Sequence, residues 1–356
     1  MQVVGYPVGF TPSRFLVLDS FFPQHYFSNP SPHPLPPPPQ THSGVGYQEL
    51  VRVAVFAVDG TVSIAHSGTE IGQGIDTKVA QCVSYALKIP MEKIVFGECA
   101  SDVQPNTTTT GGSATSEVCC QAALNGCKDL LARLAPYAKE QKAGATEEEN
   151  FANFAGAAAA AAAAGVCLAI DGWSAPAAEV EFQYYVYVAA ATVVELDCLS
   201  GEVQVLSTDI QYDCGSQLNA DVDIGQIEGG FIMGLGYYLS EDVVFDDKTG
   251  WLKSNGTWEY KPPMALDIPA ELNVRLLIGS PNNSDQNVLR SKATGEPPLI
   301  ASASVFFAVR EAILVAQDDG VAGSGEKQGW SLIAPATLKN RIIALGDTIS
   351  SKNFVL

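Results

Sequence analysis

The sequence predicts an α+β fold with two subdomains of mixed β-sheet and packed helices. Two stretches, residues 45–137 and residues 181–347, each contain β-rich runs followed by a glycine-bearing turn and an apolar helical pattern. The chain has 356 residues, of which 47% are hydrophobic, so it is long and apolar enough for two cores. We therefore expect a protein that is globular over most of its length.

Three further segments lie outside these two subdomains. Residues 1–44 contain the run SNPSPHPLPPPPQTHSG, which favours an extended, semi-rigid conformation, and we expect a poorly ordered arm. Residues 138–180 contain AGAAAAAAAAG, a low-complexity tract that favours helix without specifying a core. We interpret that segment as a linker or an insert, and residues 348–356 as a tail.

The first subdomain opens with ELVRVAVFAVDGTVSIAHSG, two strand-like runs that Asp59-Gly60 joins in a predicted hairpin. A helix then follows the turn TEIGQG and ends before Pro90, and MEKIVFGEC predicts another strand. The polar turn TTTTGGSATSE introduces a second helix. Its predicted apolar face consists of Val118, Ala122, Leu130, Leu131 and Leu134.

The second subdomain combines two strand-like runs, separated at Ser200-Gly201, with the glycine-rich segment DVDIGQIEGGFIMGLGYYLSED. That segment superficially resembles a membrane helix with a G-x-x-x-G motif. Asp223, Gln226 and Glu228 in its first turns favour a soluble helix instead. Its glycines would then allow another part of the backbone to approach closely.

Charge and cysteine content exclude several classes of protein. The net charge is −19 and no basic run is present, so we expect neither nucleic acid nor an anionic membrane surface as a partner. No signal sequence or long apolar run is evident, which predicts a cytoplasmic protein, with the peroxisome as the alternative location. The eight cysteines include no C-x-x-C pair and indicate buried free thiols rather than disulfides or a zinc site.

Three turns combine glycine with amide or hydroxyl side chains near a predicted helix N-terminus: IGQG at 71–74, TGGSATS at 110–116 and DIGQIEGG at 223–230. Backbone N–H groups at such a position can bind a phosphate or another anion without a lysine. Each turn alone is more often an ordinary tight turn, and none matches a P-loop. Three of them in one acidic chain predict an anionic ligand.

The stretch SKATGEPPLIASAS, residues 291–304, places Glu296 between a glycine and two prolines, where it looks buried. Pro297 disfavours helical backbone at Glu296, whereas Pro298 is compatible with a first helical turn. Apolar residues from Leu299 to Ile313 recur at helical spacing and would anchor this corner. Glu296 is therefore either an acid that favours the helix dipole by about 0.3–1 kcal/mol or a positioned general base.

Five segments, in this order, resemble one family: GTEIGQGIDTKVAQ, PNTTTTGGSATSE, TDIQYDCGSQLNADVDIGQIEGGFIMGLGYYLSED, TWEYKPP and LRSKATGEPPLIASASVFFAVREAI. They are similar to the C-terminal part of the molybdenum-cofactor region of aldehyde oxidases and xanthine dehydrogenases. The resemblance covers about residues 46–135 and 183–345. TGGSATSE and TWEYKPP look more like the aldehyde oxidase branch. The fold that this resemblance implies is a partial molybdenum-cofactor-binding domain.

In that family a pterin dithiolene holds the molybdenum, so the resemblance implies no metal-binding side chain. Glu296 matches the catalytic base, which would take a proton from a molybdenum-bound hydroxide as an aldehyde or a nitrogen heterocycle is oxidised. The resemblance also implies a set of contacts to the pterin or its phosphate. They are Gly72, Gln73, Gly74, Gly112, Ser113, Thr115, Gln226 and Gly295.

The resemblance also implies partners that the chain itself does not contain. Complete members carry iron-sulfur clusters and often FAD in other domains, and they form homodimers. Their substrate-binding residues lie largely in a part of the molybdenum region that has no counterpart here. Three interpretations therefore stay open: a portion of an aldehyde oxidase-like enzyme, a portion of a xanthine dehydrogenase, or a noncatalytic fragment that keeps the fold.

Overall fold

The computed structural model describes residues 14–19, 48–140, 144–174, 184, 186–279, 288–318 and 332–346. Within these residues the strands are β1 (Arg14–Asp19), β2 (Glu49–Val55), β3 (Val62–His66), β4 (Ile94–Phe96), β5 (Ala169–Ser174), β6 (Val188–Asp197), β7 (Val203–Tyr212) and β8 (Glu271–Leu276). The helices are α1 (Ile75–Leu87), α2 (Thr115–Leu134), α3 (Glu147–Ala163), α4 (Ala220–Leu239), α5 (Pro298–Ala301), α6 (Ala303–Asp318) and α7 (Leu338–Leu345). The predicted α+β class is confirmed.

The first sheet has the strand order β4-β3-β2-β5 and packs against α1 and α2. β2 and β3 form the predicted hairpin, in which Gly60 takes a φ of 77° and Asp59 Oδ1 accepts from Thr61 N at 2.9 Å. Val51, Val53 and other alternate residues of the strands are fully buried against the helices. Leu131, predicted on the apolar face of α2, is 39% exposed because it lies at the edge of that face.

The second sheet has the order β1-β6-β7-β8 and packs against α4 and α6. β6 and β7 are antiparallel and meet at the predicted Ser200-Gly201 turn, where Gly201 has a φ of 74°. β1 pairs antiparallel with β6. A strand therefore occupies residues 14–19 of the arm that we expected to be poorly ordered, and the rest of that arm, residues 1–13 and 20–44, lies outside the described residues.

The alanine tract, expected in a linker or an insert, forms α3. It packs onto the first core, which is the hydrophobic cluster between the first sheet and helices α1 and α2. Phe154, Ala158 and Ala161 are buried there. Thr146 caps the helix by accepting from Glu149 N at 3.2 Å. β5, which also lies in that expected linker, is an edge strand of the first sheet. The small alanine side chains therefore let α3 lie close against the rest of this core.

Close backbone contact, predicted for the glycine-rich helix α4, occurs where α4 meets α5. A Cβ on Gly234 would overlap Ser302 Oγ and Leu299 O, and one on Gly230 would lie 3.1 Å from Gly295 O. The run Pro298–Gln317 is long and apolar enough to cross a bilayer. It is interrupted at Ser302 between α5 and α6, and it contributes Val305, Val309 and other buried residues to the second core, as the core helix of a globular protein does.

All eight cysteines are free, as predicted. Five of them are buried, whereas Cys99 and Cys167 are exposed and Cys198 is intermediate. The expectation of buried thiols is therefore right for most of them but wrong for the two exposed ones. Those two lie in the loop after β4 and in the segment between α3 and β5, where the chain runs over the surface.

We predict that Gly234→Ala destabilises the fold by at least about 1–3 kcal/mol, because the added methyl group requires α4 and α5 to separate. Gly229→Ala is the matched control on the same helix. No atom lies within 4 Å of its added Cβ, so it should be neutral or stabilising by up to about 1 kcal/mol. Urea unfolding of both variants measures the difference, and equal stabilities would contradict the close α4–α5 packing.

Candidate functional site

A cleft of about 240 Å³ lies where the N-terminal ends of α1, α2 and α4 meet the loop of residues 291–296. It collects most of the residues that the sequence singled out. Those that line it are Gln73, Gly112, Ser113, Thr115, Gln226, Gly295 and Glu296. Gly72 and Gly74 lie beside it: Gln226 Nε2 donates to Gly72 O at 3.2 Å, and Gly74 packs on Val222. The cleft therefore draws residues from both cores.

Each of four residues in the 291–296 loop is held by a group from another element. Lys292 N donates to Cys214 O at 2.9 Å, and Ala293 N donates to Tyr184 OH at 3.0 Å. Thr294 Oγ1 donates to Asp223 Oδ1 at 3.2 Å, and Glu296 N donates to Ser113 Oγ at 2.8 Å. Because the contacts come from several elements, the loop is fixed with respect to both cores.

Glu296 stands at the edge of this cleft and is exposed, contrary to the buried position that its neighbours indicated. Pro298 begins α5, as predicted, and Leu299 N donates to Glu296 O at 3.1 Å. The prolines are buried while the carboxylate side chain is not, since the chain turns at this corner. The corner thus presents the acid to a ligand in the cleft.

Ser113 and Gly295 approach each other closely opposite this corner. Ser113 has a φ of 53° and Gly112 a φ of 64°, which turn the backbone sharply just before α2. A Cβ on residue 295 would lie 2.9 Å from Ser113 Oγ, so any larger residue there would push the Ser113 hydroxyl out of its present position. The glycine therefore allows the hydroxyl of Ser113 to reach the backbone of Glu296.

The N-terminal end of α1 already holds an anion of the protein itself. Glu70 Oε1 accepts from Gly72 N at 2.9 Å and from Gly74 N at 3.0 Å. Burial acts to raise the pKa of Glu70, but these and further backbone hydrogen bonds outweigh it and lower the pKa. Gln73 is also folded onto its own loop, with its amide bonded to Ile71 N at 2.7 Å and Thr69 O at 2.8 Å.

The three glycine-bearing segments are therefore not equivalent, and the expectation that all of them are turns that offer backbone N–H groups to an anion is wrong. Residues 223–230 lie inside α4, where the N–H of Asp223 already donates to Asn219 O at 3.0 Å. α4 is capped by Asn219, whose side chain accepts from Val222 N at 3.0 Å. α2 begins after Ala114, which has no side-chain acceptor, so no side chain of the N-cap residue occupies its first N–H groups. The N-terminus of α2 is thus the position in this cleft best suited to an anion.

Two lysines line the cleft, but each is paired with an aspartate. Lys78 Nζ lies 2.8 Å from Asp223 Oδ1, and both side chains are buried. Lys292 Nζ lies 2.6 Å from Asp213 Oδ2. Because these charges are balanced within the protein, an anionic ligand would depend on backbone dipoles, as the sequence indicated. Lys78 and Asp223 were not predicted as partners, since 145 positions separate them.

Glu117, in the first turn of α2, is a further cleft residue that the sequence did not single out. Its Oε2 accepts from Tyr184 OH at 3.1 Å. Its Oε1 is buried and has no hydrogen-bond partner among the residues that the structure describes. Burial raises the pKa of Glu117 to about 7, against smaller opposing effects of hydrogen bonds from Tyr184 and the Val288 backbone. An acid just after a polar, glycine-bearing turn was the available sequence signal.

Residues 33–269 match the family model of the molybdopterin cofactor-binding domain. The chain belongs to this family. The resemblance to aldehyde oxidases and xanthine dehydrogenases, stated above from five motifs, is thereby confirmed at the level of the family.

Two relatives illustrate both branches. Xanthine dehydrogenase of Drosophila subobscura is 43% identical over 307 residues, which cover 82% of this chain and 21% of that protein. Aldehyde oxidase 3 of Mus musculus is 37% identical over 308 residues, covering 86% and 22%. The chain thus spans about a fifth of the length of these relatives, and the preference for the aldehyde oxidase branch stays a prediction.

Solved structures share the fold over nearly the whole chain. Quinoline 2-oxidoreductase from Pseudomonas putida 86 has a TM-score of 0.71 at 21% identity, covering 94% of this chain and 42% of that chain. CO dehydrogenase from Oligotropha carboxidovorans has a TM-score of 0.73 at 17% identity, covering 95% and 41%. At these identities the likeness shows the fold alone. The expected molybdenum-cofactor-binding type of architecture is confirmed by the family match together with this shared fold.

We predict that Asp223→Asn destabilises the protein by about 3–5 kcal/mol, because it leaves the buried ammonium of Lys78 without a counter-charge. The double variant Lys78→Met/Asp223→Asn removes both charges and should recover a large part of that loss. Chemical unfolding measures both. A double variant that is as unstable as the single one would show that the unpaired charge is not the cause.

We also predict a pH-dependent contribution of Glu117 to stability. Its pKa is about 7 in the folded chain against 4.5 as the ordinary value, so proton binding by Glu117 favours the folded state over the unfolded state. This contribution to stability is fully present below pH 4.5. This contribution is lost as the pH rises to about 7 and amounts to roughly 3 kcal/mol. Unfolding measured between pH 5 and 8 should show a smaller loss for Glu117→Gln than for the wild type. If the stabilities of the wild type and Glu117→Gln change in parallel with pH, Glu117 does not have a raised pKa in the folded chain.

Proposed function

We propose that this chain is the part of a molybdenum hydroxylase that holds the pterin cofactor and supplies the catalytic base. The observation that carries this proposal is the arrangement across the cleft. The N-terminus of α2, which no N-cap side chain occupies, lies opposite the corner that presents Glu296, and Ser113 joins the two through its bond to Glu296 N. An anion and a reacting group would thus be held within one small site.

The described residues fit a pterin cofactor better than a directly coordinated metal. Among residues 14–19, 48–140, 144–174, 184, 186–279, 288–318 and 332–346, no group of three His, Cys, Asp or Glu side chains could hold a metal ion. The first N–H groups of α2, with Gly112, Ser113 and Thr115, would bind the anionic part of the cofactor. When bound, the cofactor supplies oxidation of a substrate carbon with oxygen derived from water.

Glu296 would act as the general base of that reaction, taking a proton from the attacking oxygen. Its backbone is fixed by Ser113, and Thr294, two positions earlier, is fixed by Asp223. Its side chain is exposed at the cleft edge, so a ligand can reach the carboxylate. Gln73 and Gln226 line the cleft and would lie beside the cofactor near α1 and α4, with the Gln73 amide itself bonded within its own loop.

The exposed segment of residues 241–270 favours a role within a larger assembly. Its large apolar side chains are mostly in contact with solvent: Phe245, Trp251, Trp258, Met264 and Leu266, with Trp258 86% and Leu266 94% exposed. Such a surface is typical of a protein interface. We therefore propose that iron-sulfur and flavin domains of a complete enzyme work with this chain and that the complete enzyme is a homodimer.

The substrates we propose are aldehydes or nitrogen heterocycles, with the aldehyde oxidase branch preferred and xanthine dehydrogenase as the alternative. We also keep the cytoplasm as the proposed location, on the evidence of eight free cysteines. The alternative that the sequence left open is a noncatalytic fragment that keeps the fold. Cofactor binding distinguishes the two.

We predict that the chain, produced in cells that make the cofactor together with the remaining domains of a relative, retains molybdenum and pterin. Metal analysis and fluorescence of the oxidised pterin measure this. Glu296→Gln should keep both and lose turnover by at least about 100-fold, because the amide preserves shape and removes the base.

Ser113→Ala is the comparison variant, because it removes a hydroxyl that we propose contacts the cofactor. It should lower the pterin content of the protein, whereas Glu296→Gln should not. Absence of both molybdenum and pterin from the wild type would establish the noncatalytic alternative. Full turnover by Glu296→Gln would refute the assignment of the base.

A further inference from the structure

Two tyrosine hydroxyls hold the backbone of Ala293, which lies three positions before Glu296 in the chain. Ala293 N donates to Tyr184 OH at 3.0 Å, and Tyr212 OH donates to Ala293 O at 2.7 Å. Tyr212 is fully buried at the end of β7. Both polar backbone groups of this loop residue therefore depend on side chains that lie far away in the sequence.

Tyr184 connects this loop to the first core. Its hydroxyl lies 3.1 Å from Oε2 of Glu117, which is in the first turn of α2. A chain of hydrogen bonds thus runs from Glu117 through Tyr184 to Ala293 N. The turn just before α2 contains Ser113, which accepts directly from Glu296 N. The start of α2 is therefore linked to the loop at two points: directly through Ser113, and indirectly through Glu117 and Tyr184.

We propose that Glu117 is a positioning residue that holds the 291–296 loop, and with it the carboxylate of Glu296, through the hydroxyl of Tyr184. The proposal rests on the proposed function only in assigning Glu296 as the base. The hydrogen-bonded link itself is a property of this chain. Its physical basis is that the Glu117 carboxyl is buried and that Tyr184 OH donates to its Oε2, with the Val288 backbone as a second, weaker contributor of hydrogen bonding, so Tyr184 is the side chain that links this carboxyl to the loop.

The charge state of Glu117 should control this link. The charged groups that share the cleft region with it are Lys78, Asp213, Asp223, Lys292 and Glu296. Both lysines are paired with the aspartates, so neither lysine serves as the counter-ion of Glu117. Burial raises the pKa of Glu117 to about 7. The neutral carboxyl is stable in its buried position, whereas the ionised form is more stable in water. Ionisation therefore favours separation of Glu117 from Tyr184 and the 291–296 loop.

Amide hydrogen exchange of the cofactor-free chain tests the proposal, with the Ala293 amide as the reporter. After correction for the intrinsic pH dependence of exchange, protection of this amide in the wild type should fall severalfold between pH 6 and pH 8. Glu117→Gln should show no such fall, because its side chain keeps a polar contact to Tyr184 but does not titrate. Tyr184→Phe should lower protection by about tenfold at every pH, since the acceptor is lost.

Glu92→Gln and Tyr85→Phe are matched controls at exposed positions that do not line the cleft, and both should behave as the wild type. Thermal unfolding at pH 6 verifies that each variant is folded. The proposal is overturned if Tyr184→Phe leaves Ala293 protection unchanged or if Glu117→Gln follows the wild-type pH profile.

The exchange result is independent of cofactor retention. A chain that binds no pterin but shows the expected profiles would refute the proposed function while supporting the link. A chain that retains pterin but lacks these profiles would refute the link alone.

Discussion

The buried contact between Lys78 and Asp223 is the interaction on which the rest of the site depends. Lys78 belongs to α1 and the first core, Asp223 to α4 and the second, and Thr294 of the Glu296 loop donates to the same carboxylate. Neither charge is stable in a buried position alone, so each requires the other core to be in place. The pair therefore couples the packing of the two cores to the position of the loop.

Glycine then determines how closely the elements around that pair can approach. Gly74 leaves room for Val222 of α4, and Gly295 leaves room for Ser113. At Gly295 this places backbone, rather than a long side chain, at the surface of the cleft. In a chain with a net charge of −19, this is a physically reasonable way to accommodate an anionic ligand, because aligned N–H groups attract negative charge without a cationic side chain.

The three helix N-termini show why a motif alone does not define a binding site. The glycine-bearing turns look alike in sequence, yet Glu70 occupies the N–H groups before α1, and Asn219 caps α4. α2 lacks such a cap and carries Glu117, a carboxyl whose pKa burial raises to about 7. The difference lies in side chains that fold back or do not, which a glycine pattern does not reveal.

The sequence by itself determined the features that depend on local chemistry. These include the hairpin at Asp59-Gly60, the helix start at Pro298, the close approach at the glycines of α4 and, through its motifs, the family. The tertiary structure alone decided that α3 packs into a core, that Glu296 is exposed and that Glu117 meets Tyr184. Such contacts join positions far apart in the sequence, 67 residues for Glu117 and Tyr184 and 183 for Ser113 and Glu296, and they arise from burial and packing, which no local pattern of residues encodes.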